Sequence, residues 1–166
     1  MIGAVDPQFS RIVKEAGQRP EVIEAVRRLY ADVQREVDAR RPLCVVSGRC
    51  CRFEEFGHRL FVTTAEVAAF VRELPELQSK PAASGAWDGT GCPFQSNKMC
   101  TVHAIRPFGC RMFFCDATST EWQNQTYEHF HARLKRLHEE LAVPYFYVEW
   151  RRALGLLGLS SRQSSF

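Results

Sequence analysis

Residues 43–53 read LCVVSGRCCRF and carry three of the chain's seven cysteines. The stretch decides the fold because it is too short and too irregular to be a long helix, and Gly48 permits a backbone turn that other residues resist. A segment of this kind buries too little apolar surface to offset the entropy of ordering it. Thiols placed here therefore suggest an added staple. In an extended strand, neighbouring side chains point to opposite faces, so Cys50 and Cys51 are expected to serve different roles unless the chain turns sharply between them. A disulfide between adjacent cysteines would be strained.

All seven cysteines (Cys44, Cys50, Cys51, Cys92, Cys100, Cys110 and Cys115) lie in the middle of the chain, and none lies in either flank. The N-terminal sequence MIGAVDPQFSRIVKEAG lacks the basic segment, apolar run and small-residue cleavage site of a signal peptide. The expectation is a reducing, cytoplasmic setting. There an odd number of cysteines argues against a complete disulfide framework. Free buried cysteine is an ordinary core residue and could explain any one of the seven, but it does not explain their clustering. Metal ligation does. The absence of any C-x2-C pair excludes a zinc ribbon or a simple finger, and the ferredoxin run is not intact.

Outward from this centre the pattern turns helical. Asp6 followed by Pro7 reads as an N-cap with proline at the first helical position. After Gly17, Pro20 opens a longer helix with Val22, Ile23, Val26, Leu29, Tyr30, Val33 and Val37 at three- and four-residue spacing, closed by Pro42. Cys51–Glu54 and Arg59–Thr63 read as a small hairpin around Gly57. Thr63 and Glu66 fit a capping box ahead of a helix over 64–74. Residues 75–91, rich in Pro, Ala, Ser and Gly, read as a surface loop. A second hairpin is expected around Ser96–Lys98, followed by a helical turn near Pro107. A long helix, 121–141, has Trp122, Tyr127, Phe130, Leu134, Leu137 and Leu141 on its core face. The last helix is expected over 147–157, with a disordered tail at 160–166. The fold class is thus α+β, mainly α: one domain, 1–159, with terminal helices around a loop-rich, cysteine-bearing centre and one or two short β-hairpins.

Composition narrows the function further. The apolar fraction is 45% and the charged fraction 25%, as in ordinary globular domains, and no apolar run approaches the roughly 20 residues of a membrane span. The net charge of +3 comes from basic residues mostly beside acids, which reads as solvated helix faces rather than a nucleic-acid-binding stripe.

The cysteine spacing resembles that of the YkgJ-type cysteine-cluster family, described as zinc- or iron-chelating and related to flagellin N-methylase. That family's first motif is C-x2-C-x2-C-C followed by Arg. Its second is C-P-F, a few residues, C, then R-P-x-x-C-R-x-F-x-C. This chain shows Cys44, Ser47, Cys50, Cys51 and Arg52, then Cys92-Pro93-Phe94, Cys100, His103 and Arg106-Pro107-Phe108-Gly109-Cys110-Arg111-Met112-Phe113-Phe114-Cys115. Ser47 stands where the family has its second cysteine, and a hydroxyl is a poor ligand for zinc or iron.

The resemblance implies a metal-binding protein whose seven cysteines coordinate zinc or an iron–sulfur cluster, in a structural, redox or sensing role. Two other readings stand beside it: a protein-lysine N-methylase-like enzyme, for which no standard methyl-donor motif is visible, and a zinc-stapled module that binds an unnamed protein. Arg52, Arg106 and Arg111 are placed to offset thiolate charge. His103 is a candidate extra ligand, and His131 and His138 read as a surface pair.

Overall fold

The computed structural model describes residues 5–78 and 89–159. Its helices are α1 (Pro7–Gly17), α2 (Pro20–Arg40), α3 (Phe53–Phe56), α4 (Thr64–Gln78), α5 (Phe108–Arg111), α6 (Thr120–Glu140) and α7 (Trp150–Leu156). Its strands are β1 (Phe61–Thr63), β2 (Gln95–Ser96), β3 (Met99–Cys100) and β4 (Tyr147–Glu149). The fold is α+β and mainly α. No helix among the described residues is long and apolar enough to cross a membrane.

The helix starts follow the local chemistry. The Asp6 carboxylate accepts from the amides of Gln8 and Phe9, satisfying donors that the first turn of α1 would leave free. Pro20 opens α2, which buries Val22, Ile23, Val26, Leu29 and Val33 along one face and ends on Arg41 in left-handed backbone. At α4 the expected capping box is half made. Glu66 accepts from the Thr63 amide at 2.8 Å, whereas the Thr63 hydroxyl is buried without a partner.

Two cores result. The larger packs α1, the first half of α2, α4, β1 and α7 around Val62, Val67, Phe70, Trp150 and Leu154, and it includes Cys51 and Cys92. Phe70 meets the Trp150 ring edge-on at 4.8 Å, a favoured aromatic geometry. The smaller joins Leu29 and Val33 of α2 to Phe108 and Met112 beside α5, and to Phe130 and Leu134 of α6. Glu66 ties the cores together, also accepting from the Phe108 amide at 2.9 Å and the Tyr30 hydroxyl at 3.3 Å.

Several expectations are corrected. Cys51–Glu54 is no strand: Arg49–Cys51 is a 3-10 turn, and α3 follows and ends at Gly57 in left-handed backbone. β1 pairs instead with β4, antiparallel, Val62 opposite Val148, so the start of the expected last helix is a strand. A two-stranded sheet needs a partner for β1, and the distant β4 supplies it with the Trp150 amide donating to Leu60. The helix at 64 does not stop at Leu74 but runs through Pro75 to Gln78. Residues 79–88 of the expected loop, and the tail 160–166, lie outside the described residues. The second hairpin is present, β2 against β3, turned by Asn97 and Lys98, both with positive φ, as a two-residue hairpin loop requires.

Candidate metal centre

Three separate segments bring the thiols together. Gly48, at φ +71°, starts the 3-10 turn carrying Cys50 and Cys51, and a Cβ there would meet the Lys98 carbonyl at 2.8 Å. The turn therefore packs directly against the β2–β3 hairpin that presents Cys100, and the Gln95 side-chain amide holds it by donating to the Gly48 carbonyl at 2.9 Å. The Cys92 amide donates to the Cys51 carbonyl at 2.8 Å, which fixes the third segment. Gly91 is required there: its φ is +59°, and a Cβ would lie 2.6 Å from the same carbonyl.

Cys51 is the hub. It is buried, and the nearby thiols of Cys100, Cys50 and Cys92 push its pKa far above the ordinary thiol range, with burial adding to the effect. The neighbours move the other way. Cys50 is brought down to about 6, first by the neighbouring Cys51 thiol and further by the Arg106 charge. Cys100 is brought down to about 7 by the same two influences. Cys92 is lowered by Cys51 and also by the Trp150 indole, against the opposing effect of burial. Cys110 stands behind them, raised by burial and by the negative charge that Cys92, Cys100 and Cys50 develop. All seven cysteines are free thiols, so the adjacent pair forms no disulfide.

Cys50 and Cys51 lie in a 3-10 turn and not in a strand, so the alternation expected of a strand does not apply to them. Among the described residues, no three His, Cys, Asp or Glu side chains form a group that could hold a metal ion. The donor set itself fits a soft metal. Thiolates are preferred ligands of zinc and iron, and several of them crowded together need a positive charge between them.

The remaining cysteines lie elsewhere. Cys44 and Cys115 are exposed. The Cys115 sulfur lies 3.6 Å from the Ser47 hydroxyl, and the Leu43 amide donates to Asp116 at 3.0 Å. The serine at the family's cysteine position therefore belongs to this outer pair and not to the Cys51 cluster. Of the three arginines, Arg106 acts on the thiols. Arg52 bonds Glu55 and the Ser47 carbonyl, and Arg111 stacks on Tyr30. His103 pairs with Arg106. His138 is not on the surface: it is 2% exposed, and its ring bonds the Ala65 amide and the Val143 carbonyl.

Sequence reasoning missed Trp150 and His58. Trp150 comes from the far end of the chain, shares the larger core with Cys92, and helps lower that thiol's pKa. His58 Nε2 lies 3.3 Å from the Cys50 carbonyl, and its ring stacks on Phe113. No spacing rule links either to a cysteine motif. Compared with known proteins, the chain matches no family model, no curated protein and no solved structure.

Proposed function

We propose that this chain is a small metal-binding protein in which Cys50, Cys51, Cys92 and Cys100 together hold zinc or the iron of an iron–sulfur cluster. The carrying observation is that the turn bearing Cys50 and Cys51 packs against the hairpin bearing Cys100 and is bonded through its Cys51 carbonyl to the Cys92 amide, so that three segments bring these four thiols into one neighbourhood. Cys50, Cys92 and Cys100 have lowered thiol pKa values and Cys51 a raised one. A bound cation would stabilise the thiolate forms and release the thiol protons, as thiolate ligation does generally.

Four thiolates are a complete tetrahedral set for zinc and also the usual set for an iron–sulfur cluster. Zinc would supply folding free energy with no redox chemistry; a cluster would add electron transfer or sensing. The protein's own part is the turn at Gly48, the Arg106 charge beside the sulfurs, and the apolar cover of Phe94 and Trp150. The spacing likeness to the YkgJ-type proteins supports the same assignment.

Metal analysis and visible absorption of anaerobically purified full chain test the reading. Stoichiometric zinc in a colourless sample, or iron with acid-labile sulfide and broad visible absorption, is the expected result. Either signal should disappear in Cys51→Ser and Cys100→Ser and persist in Cys115→Ser. A protein that retains neither metal overturns the proposal.

A further inference from the structure

Beside the cluster an open cleft of about 350 Å³ has Cys50 and Cys110 in its wall, a volume at the small end of the range for small-molecule sites. Its other walls differ in character. One is apolar and aromatic, formed by Leu60, Met112, Phe113, Phe114 and Tyr127. The rest of the lining is polar, with Thr120, Gln123 and Asn124 from the first turns of α6, and His58 and Arg59. Among the described residues, no Asp or Glu lines the cleft. No hydrogen bond or ion pair engages Arg59 among the described residues, whereas the other arginines nearby, Arg52, Arg111 and Arg151, are all bonded.

We propose that this cleft binds a small carboxylate-bearing molecule with an aromatic or branched apolar body. Among the described lining residues Arg59 is the one permanent charge, the N-terminal end of α6 adds potential of the same sign, and no hydrogen bond among the described residues engages the Asn124 amide. The carboxylate lies at the Arg59 rim and the apolar body faces Leu60, Phe113 and Met112. The bound molecule then covers the flank of the thiol cluster at Cys50 and Cys110. This inference does not rest on the metal assignment, because the walls are the protein's own.

The test titrates the full chain, metal-free and zinc-loaded, with phenylacetate and with its neutral isostere phenylacetamide, followed by NMR. Phenylacetate should bind at least about tenfold more tightly, a difference of about 1.4 kcal/mol, and should shift the side-chain amides of Gln123 and Asn124. It should also slow alkylation of Cys50 by iodoacetamide. Arg59→Met should abolish the preference for the anion while leaving the weaker binding, and Asn124→Trp should remove both. Both residues are exposed, so folding survives the changes. Equal affinity for the two probes, no binding of either, or binding indifferent to Asn124→Trp overturns the proposal. Failure here with zinc still retained leaves the metal reading standing, and loss of zinc with anion binding intact does the reverse.

Discussion

The Ser47 hydroxyl and the Cys115 sulfur lie 3.6 Å apart on the protein surface, away from the buried hub at Cys51. The chain thus keeps an outer group of one hydroxyl facing one thiol, with Cys44 on the adjoining segment. Ser47→Cys places a second thiol facing Cys115, a donor pair separate from the four thiols of the proposed site. It should raise zinc retention against a chromophoric chelator by about tenfold, equivalent to about 1.4 kcal/mol. Ser47→Ala should move stability by no more than about 0.5 kcal/mol. Unchanged zinc retention in Ser47→Cys would show that the outer group takes no part in binding.

Two glycines with similar backbone should respond differently to alanine. Gly57, at φ +64°, has nothing within 4 Å of a built Cβ, so Gly57→Ala should cost only the backbone strain, about 1 kcal/mol. Gly91→Ala adds a clash with the Cys51 carbonyl and must shift the Cys51–Cys92 pairing. Its cost should exceed that of Gly57→Ala in urea unfolding, and zinc retention should fall in Gly91→Ala alone. Equal losses for the two would refute the close approach.

His138 makes stability depend on pH in a stated direction. Burial lowers its pKa below the ordinary imidazole value, against the smaller opposing effects of the Val143 and Pro144 backbone. The ring is neutral when folded, with one nitrogen accepting from the Ala65 amide. The unfolded chain therefore binds the extra proton first. This stabilisation is fully present above the unfolded pKa of about 6.5 and declines as pH falls from there toward the folded value. Urea midpoints measured between pH 8 and pH 5 should drop for the native sequence and drop less steeply for His138→Gln. Parallel profiles would place the sensitivity elsewhere.

Glu66 accepts from three donors: the Thr63 amide, the Phe108 amide and the Tyr30 hydroxyl. Burial raises its pKa, so removing its charge looks favourable, yet Glu66→Gln would turn an amide donor toward one of those three. The variant should be destabilised by about 1–3 kcal/mol, the cost of a buried unsatisfied donor. A more stable Glu66→Gln protein would show that desolvation outweighs the hydrogen bonds.

The terminal helices were legible in the sequence because their determinants are local. Asp6-Pro7, Pro20 and the apolar stripe of α2 each carry their message within a few residues, and the Asn97-Lys98 turn does likewise. The β1–β4 pairing was not legible: β1 is three residues long, and its partner lies far along the chain. The family resemblance implied that all seven cysteines ligate metal. It could not divide them, because alternation along a strand said that Cys50 and Cys51 part company while the tertiary approach of the β2–β3 hairpin to Gly48 makes them turn together. His138 was misread for a related reason. Its helix position is half apolar by pattern, and only the docking of Ala65 and Val143 against it makes it core.

The closure of β1 by β4 has a consequence for the order of events during synthesis. Every cysteine has been made before Tyr147 is added, yet the strand that completes the sheet and the indole that covers Cys92 both come after. A nascent chain therefore passes through an interval in which all seven sulfurs are present and Trp150 is not yet beside Cys92. During that interval Cys92 is more open to oxidants than in the finished fold. If the thiols hold a metal as proposed, the timing of C-terminal docking sets a window for loading, and a chain shortened before Trp150 would keep the sulfurs while losing the indole beside Cys92.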